Sequence, residues 1–441
     1  MKLAILVALS AVLALGQAQV AIPRLLGTIP LNYAAFVEVY DDIKNNNSDR
    51  YTLYISTFNP INFSKDPKYY LRSPGNLLGN VSAWEFQTID QGDNTAVWPN
   101  NPDFMPAQVA GAQGLVWTSG FLVPGKTKGS LELYDTVSDP PVGPFTISSQ
   151  DTVEWSYHRV IWKDMDKDGD LDALTARFHK PILGNTHTQF AWLENPGLNL
   201  RDTPVNGWTQ HVIQDSYVDG NLGPDVHFRN FELVSRGETF DCILSAEFWR
   251  EQLVLYYTST GWSDWTQVRR IPIDITLGQP FDVYLDDFNR DGKIDILATG
   301  YNHTLGNVFA YEIPEDFRNG TFTKHTLADG FKANPIIGGQ SMTPGSPKPF
   351  YPSKAYEDER IGGRQRKPYI IVSGDDDGKH YILEPNSEDA NDWSYTKHIL
   401  VDTEKTTSGK FAVVDLDGDG YTEIVAAGYS SGTIYVYTYK P

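Results

Sequence analysis

Short runs of alternating or β-rich residues fill this chain, and helical periodicity is almost absent. Gly, Pro, Asn and Asp separate the runs and favour turns. One arrangement recurs: a strand, an Asp-rich turn, two further strands, and a last strand that an aromatic residue leads. Its clearest copy begins at His158–Trp162 and ends at Trp208–Ile213. Similar aromatic-led endings follow at 265–268, 322–327 and 393–400, so the chain is built from repeats.

The repeats divide the chain into about seven units. The units span residues 33–90, 91–150, 151–215, 216–275, 276–330, 331–403 and 404–441. The last has only three obvious strands, and residues 25–31 can supply the fourth. We therefore predict an all-β fold, a single β-propeller over residues 25–441 with about seven four-stranded blades. Pairing of the N-terminal strand with the last blade would close the ring and remove the sheet edges. An open β-solenoid is the alternative.

Two stretches depart from the repeat. Residues 338–367 are rich in Gly, Pro and Ser and contain several basic residues, and residues 98–127 are similar but less basic. Insertions of this length are candidate lids over one face of a propeller. Disordered surface loops are the other interpretation.

Three loops share the pattern D-x-[DN]-x-D-G-x-x-[DE]. Positions one, three, five and nine offer side-chain oxygens, position seven offers a backbone carbonyl, and the Gly permits a sharp turn. The predicted ligands are Asp164, Asp166, Asp168, Asp170 and Asp172; Asp287, Asn289, Asp291, Lys293 and Asp295; and Asp415, Asp417, Asp419, Tyr421 and Glu423. Hard oxygen ligands at this density predict structural Ca²⁺ sites.

An EF-hand is excluded because it needs a bidentate Glu at position twelve and flanking helices. Position twelve here is Thr175, Ala298 or Ala426, and strands flank each loop. The loops lie two repeat units apart. In this spacing the chain resembles the FG-GAP/VCBS-repeat β-propellers, over roughly its whole length beyond the N-terminal segment. The resemblance implies that the loops fasten the first and second strands of a blade. The sequence has no P-loop and no dinucleotide fingerprint, and we expect no organic cofactor.

The formal net charge of −20 makes nucleic acid and anionic membrane surfaces poor partners. Residues 1–18 have the pattern of a signal peptide, with a positive start, an apolar run and a small-x-small cleavage site. We expect no membrane span, and secretion of a monomer. Five sequons fit that route, at Asn46, Asn62, Asn80, Asn302 and Asn319.

Familiar nucleophile motifs give little. Cys242 is the single cysteine and lies in an apolar strand, where a small core hydrophobe is expected rather than a catalytic thiol. Residues 428–432 match G-x-S-x-G, but strands flank both sides, so a hairpin turn is predicted.

The face opposite the Asp loops is the predicted site for a small molecule. It is formed by the starts of first strands and by the turns between second and third strands. The candidate catalytic residues are His158, Arg159, His227, Arg229 and Trp249. The candidate substrate-binding residues are Tyr157, His179, Lys180, Arg250 and Tyr301. Imidazoles, guanidinium groups and aromatic rings that converge there could bind and polarise an oxygenated ligand.

Three functions remain open, because propellers host many activities. The whole-chain character resembles the glycosylated fungal hetero-Diels–Alderases of tropolonic sesquiterpene biosynthesis, which join a quinone methide to a terpene without a cofactor. That resemblance implies an enzyme of secondary metabolism. The second possibility is a carbohydrate-binding protein or a sugar lyase or dehydratase, with a glycan or sugar as ligand. The third is an adhesion module.

Overall fold

The computed structural model describes residues 21–41, 49–61, 65–89, 96–121, 123, 125–149, 151–197, 199–202, 207–335 and 341–441. Its strands form seven four-stranded antiparallel sheets, which are the blades of a β-propeller. The predicted signal peptide, 1–18, and the sequons at Asn46 and Asn62 lie outside the described residues. Among the residues described, no helix is long and apolar enough to cross a membrane.

The strands follow the chain from the innermost to the outermost position in each blade. The N-terminal strand is β1 (Arg24–Pro30). Blade 1 contains β2 (Ala34–Asp41), β3 (Tyr51–Thr57), β4 (Lys68–Arg72) and β5 (Gln87–Thr88). Blade 2 contains β6 (Pro99–Met105), β7 (Gly114–Ser119), β8 (Leu131–Asp135) and β9 (Val142–Thr146). Blade 3 contains β10 (Ser156–Lys163), β11 (Asp172–His179), β12 (His187–Glu194) and β13 (Thr209–Asp215).

The later blades repeat this order. Blade 4 contains β14 (His227–Ser235), β15 (Glu238–Glu247), β16 (Gln252–Thr258) and β17 (Arg269–Asp274). Blade 5 contains β18 (Gln279–Asp286), β19 (Asp295–Tyr301), β20 (Gly306–Glu312) and β21 (Thr323–Phe331). Blade 6 contains β22 (Pro347–Phe350), β25 (Tyr369–Ser373), β26 (Lys379–Pro385) and β27 (Tyr395–Asp402), with a separate hairpin of β23 (Arg360–Ile361) and β24 (Arg364–Gln365). Blade 7 contains β28 (Phe411–Val414), β29 (Glu423–Gly428) and β30 (Thr433–Thr438).

Helices are few and short. The described α-helices are α1 (Ala107–Ala110), α2 (Ser216–Asp219) and α3 (Lys354–Asp358). The described 3₁₀ turns are Pro74–Ala83, Leu200–Asp202, Trp265–Gln267 and Asp375–Asp377. All of them lie in connections between strands.

The ring closes as predicted. The strand β1 pairs antiparallel with β30, from Arg24 opposite Thr438 to Pro30 opposite Thr433, and so becomes the outermost strand of blade 7. Both ends of the described chain therefore hold one blade together. This pairing covers the edge of β30 that would otherwise be open.

Burial explains why the second strands read as continuous apolar runs. Every residue of β3, β7 and β19 is buried, because the neighbouring blades cover both faces of the strand. The outer strand β17 is mostly exposed or half-buried. Within the described residues, a hydrophobic cluster fills each of the seven interfaces between neighbouring blades. Cys242 is fully buried, as predicted, and burial raises the pKa of its thiol to about 12.

The aromatic-led repeat ending serves the outer edge of the blades. Its histidine lies on the fourth strand and pairs with a glutamate of the third strand. The Nε2–carboxylate distances are 2.7 Å for His211 and Glu194, 2.6 Å for His325 and Glu312, and 2.9 Å for His398 and Glu384. The repeated histidine is thus a cross-strand partner, an arrangement that stabilises sheets.

The first of the two predicted lids is corrected by the structure. Residues 98–127 include β6 and β7, so they form half of blade 2. Their prolines are tolerated because β6 is an innermost edge strand with a bulge between Pro99 and Pro102. Residues 338–367 are divided by β22. Thr343 pairs with Asn302 on one face, and α3 and the short hairpin follow on the other.

Candidate functional site

The order of the strands gives the propeller two different faces. Connections from first to second strands, including the three Asp loops, lie on one face. The starts of first strands and the turns from second to third strands lie on the other. The hairpin turn between β29 and β30, which contains the G-x-S-x-G match, belongs to this second face.

Each Asp loop is organised by hydrogen bonds to its own backbone. The acid at position nine accepts the N–H of position two in all three: Asp172 from Met165 at 2.8 Å, Asp295 from Phe288 at 3.0 Å, and Glu423 from Leu416 at 2.8 Å. The acid at position one accepts N–H groups from the following turn, as Asp415 does from Gly420 at 2.8 Å. These contacts fix the loops in one shape, and in the first and third loops carboxylate oxygens converge.

The donor set fits a hard divalent cation. Ligand oxygens of Asp164, Asp166 and Asp172 lie within 4.8 Å of one another, and so do those of Asp415, Asp417 and Asp419. Burial, with the neighbouring carboxylates adding to it, raises the pKa of Asp170 to about 6. Such crowding of like charge is relieved when a cation binds. Lys440 supplies part of that relief in blade 7, where its Nζ lies 2.7 Å from Asp419 Oδ2.

On the opposite face, aromatic side chains are arranged around the propeller axis, and we name this set of residues the mouth. It consists of Phe58, Trp98, Phe121, Phe178, Trp249, Phe281, Tyr301 and Tyr429. The side chains come from blades 7, 1, 2, 3, 4 and 5 in turn. Phe58 stacks on Trp98 with 3.7 Å between the ring centroids, and the Phe178 and Trp249 centroids are 5.3 Å apart. Blade 6 joins through Asp375, whose Oδ2 accepts a hydrogen bond of 2.8 Å from Tyr301.

Two buried histidines lie beneath the aromatic side chains of the mouth. The His158 and His227 rings are 5.9 Å apart and nearly perpendicular, and Phe121 packs on His158 at 4.7 Å. Burial lowers the pKa of His158 well below its usual value and that of His227 to about 3. Both imidazoles are therefore neutral near pH 7. Neither His158 Nε2 nor His227 Nδ1 has a hydrogen-bond partner among the described residues.

Trp249 is held in place by a buried carboxylate. Asp225 accepts the backbone N–H groups of Phe248 and Trp249 at 3.0 Å each. Burial raises the pKa of Asp225 to about 7 despite these bonds. The indole Nε1 of Trp249 is buried and has no hydrogen-bond partner among the described residues.

Below the histidines, each blade contributes one charged side chain to the propeller axis. We name this set the axial cluster: Glu38, Asp103, Arg159, Arg229, Asp282, Lys348 and Lys410. Lys410 of blade 7 lies 3.8 Å from Asp282 of blade 5, a contact that passes across the axis. Sequence reasoning found Arg159 and Arg229 but missed the other five. The available signal was a charged residue at the first strand of every unit.

The remaining predicted site residues are not brought together with the histidines. Tyr157 is buried in the core between blades 2 and 3, where its hydroxyl accepts a hydrogen bond from Arg177. His179 is hydrogen-bonded to the carbonyl of Glu154 at 2.9 Å. Arg250 donates to the carbonyl of Leu222 and lines a separate cavity of about 300 Å³ with Tyr256 and Arg270. Lys180 remains near the mouth, with its Nζ 5.6 Å from the Trp249 ring.

Three sequons fall on described residues. Asn80 and Asn319 are exposed, and Asn302 is half-buried. Asn302 also pairs with Thr343 through its backbone, beside the mouth. Modification remains a prediction at all three.

Comparison with known proteins agrees with the fold. Residues 409–437 match the family model of the FG-GAP repeat. The matched segment covers β28 to β30 with the third Asp loop. A search of curated proteins found no significant match.

Solved structures give a general likeness. A glucose dehydrogenase is 12% identical, with a TM-score of 0.39, and the match covers 78% of this chain and 96% of that one. The Dos1 propeller is 9% identical, with a TM-score of 0.42, and the match covers 89% of this chain and 76% of that one. Likeness at this level says nothing about the reaction or ligand of this chain.

Proposed function

We propose that this protein is a secreted glycoprotein enzyme that binds an oxygen-bearing apolar molecule at the mouth. The observation that carries this proposal is the set of aromatic side chains at the mouth, above two neutral, buried imidazoles. Planar conjugated molecules stack on such rings. An imidazole N–H and the Trp249 indole N–H could donate to a carbonyl oxygen there.

The finer proposal is a hetero-Diels–Alder reaction between a quinone methide and a terpene alkene. In it the C=C–C=O unit of the quinone methide and the alkene form one C–C and one C–O bond, and no group leaves. Such a step needs orientation and a hydrogen bond to the oxygen rather than a nucleophile. Holding two reactants together can lower a barrier by about 7–11 kcal/mol in favourable cases.

We further propose that the three Asp loops bind Ca²⁺ as structural sites. The preceding geometry supports this with two sets of converging carboxylates and a third loop of the same hydrogen-bonding pattern. When bound, the ion would neutralise the loop carboxylates and fasten the first strand of a blade to the second. The catalytic proposal does not depend on it.

The test is adduct formation by the purified, glycosylated chain. A quinone methide generated in solution and a sesquiterpene alkene are incubated with protein, and adducts are measured by LC–MS against the uncatalysed reaction. We expect a faster and more stereoselective reaction, lost in Trp249→Leu and His158→Gln. Trp393→Leu is the matched control, because Trp393 stacks on His325 away from the mouth.

Loss of the gene gives an independent measurement in the source organism. We expect the uncoupled precursors to accumulate and a larger adduct to disappear. An unchanged metabolite profile together with an inactive purified protein would refute the cycloaddition. Binding of a glycan at the mouth would then favour the carbohydrate function.

A further inference from the structure

The axial cluster has more positive than negative groups. Within the part of the chain that the structure describes, three carboxylates face four cationic side chains on the axis. The adjoining histidines add no charge near pH 7, because both pKa values are lowered. The axis therefore has one net positive charge in a protein whose overall charge is −20. A buried excess of charge is unfavourable unless a counterion compensates it.

The internal carboxylates do not satisfy these cations. Asp282 lies 3.8 Å from Arg229 Nη2 and from Lys410 Nζ. Arg159 Nη1 lies 3.7 Å from Asp103 Oδ1. Direct bonds between charged N–H donors and carboxylates are about 2.7–2.9 Å long, so each of these contacts is too long to be one.

Unpaired atoms mark the same place. Arg159 Nε, His227 Nδ1 and the carboxylate oxygen Asp282 Oδ2 are buried and have no hydrogen-bond partner among the described residues. Arg159 comes from blade 3, His227 and Arg229 from blade 4, and Lys410 from blade 7. The cationic side chains of Arg159, Arg229 and Lys410 thus surround the axis from different sides. A buried donor without a partner is costly, and a charged one more so.

We propose that the axis binds one monovalent anion, held by Arg159, Arg229 and Lys410 beneath the mouth. The charge excess sets the stoichiometry at one per chain. The ligand is a chloride-sized ion or a single carboxylate group. Its binding is independent of the proposed reaction, so it can be tested on inactive protein.

The direct probe is chloride. The linewidth of the ³⁵Cl NMR signal is measured with the full-length chain in chloride-free buffer, as sodium chloride is added at constant ionic strength. We expect saturable broadening from one site per chain. Acetate is then added as a competitor: displacement of chloride assigns the site to carboxylates as well, and no displacement restricts it to halide.

Two substitutions should change the affinity in opposite directions. Arg229→Gln should weaken chloride binding by about tenfold or more, the equivalent of one charge-assisted hydrogen bond. Asp282→Asn should strengthen it, because the competing carboxylate is removed. Lys332→Gln is the control, since Lys332 is an exposed lysine outside the cluster. Misfolding would weaken binding in both variants, whereas the proposal requires opposite effects. Absence of broadening in the wild type, or equal broadening in all variants, would overturn it.

Discussion

Each face of the propeller has a lysine–aspartate pair with the same separation, in opposite surroundings. On the mouth side Lys126 Nζ lies 2.7 Å from Asp66 Oδ2, and the two side chains are 1% and 3% exposed. On the Asp-loop side Lys440 Nζ lies 2.7 Å from Asp419 Oδ2, with exposures of 52% and 21%. Equal distances therefore do not imply equal energies. Burial makes the first pair part of the scaffold, whereas solvent screens the second.

The buried pair also positions the mouth. Asp66 Oδ2 accepts the backbone N–H of Trp98 at 2.8 Å, and its Oδ1 accepts that of Asn59 at 2.9 Å. The pair thus joins the turn after β3 to the aromatic residue that precedes β6. We infer that charge on this face fixes the shape of an apolar site.

The largest effect should follow from Lys126→Met. The substitution leaves Asp66 buried without its cation, a change that typically destabilises by about 3–5 kcal/mol. Urea denaturation monitored by tryptophan fluorescence measures it. The double substitution Lys126→Met with Asp66→Asn should recover part of the loss, because no unpaired charge remains. A loss below 1 kcal/mol in the single variant would contradict the role we give to burial.

Calcium should have the next largest effect, and on the other face. At a concentration of 100 times Kd, each filled site adds about 2.7 kcal/mol to the free energy of unfolding. We expect a higher Tm in calcium than in chelator, and a smaller difference in Asp417→Asn, which impairs one loop. Asp202→Asn, at an exposed aspartate outside the loops, is the control. If calcium raised the Tm of Asp417→Asn and of the wild type equally, the third loop would be excluded as a calcium site.

Acid should lower the free energy of unfolding through the protonation of His227, which lies beneath the mouth. Its folded pKa of about 3 lies below the ordinary value of 6.5, so the unfolded chain binds more protons between these two values. Stability is therefore full above pH 6.5 and falls as the pH drops towards 3, by about 1.4 kcal/mol per pH unit for this group.

The variant His227→Gln isolates that contribution. We expect a shallower loss of stability than in the wild type between pH 6.5 and 4.5, in calcium-saturated protein. His211→Gln is the control, because His211 is a partly exposed histidine on an outer strand. Parallel curves for His227→Gln and the wild type would show that His227 is not buried neutral.

Local spacing was enough to predict the fold and the loops. The seven units, the closing strand and the position of the Asp loops all follow from patterns within about ten to sixty residues of sequence. The sequence has a charged residue at the first strand of every unit, but local spacing does not show that these seven side chains meet on the axis. Asp282 and Lys410, for example, meet only when the ring closes.

A local irregularity in β10 explains why Tyr157 lies between blades and not at the predicted site. Strict alternation in β10 would set Tyr157 and Arg159 on one face. A bulge between Tyr157 and Val160 breaks the register, so the two side chains separate. Arg159 reaches the axis, and Tyr157 packs between blades. Bulges of this kind recur in the first strands β6 and β18, and the sequence pattern does not predict them.

The smallest effect should come from Lys440→Met. Its pair with Asp419 is half-exposed, and solvent screening leaves such pairs with little effect on stability. In chelator the substitution should therefore change the free energy of unfolding far less than Lys126→Met does. Calcium binding should become slightly tighter, because an ammonium group no longer competes for Asp419. Calorimetric titration of both proteins measures the second effect, and weaker calcium binding in Lys440→Met would mean that the lysine supports the loop rather than competing for it.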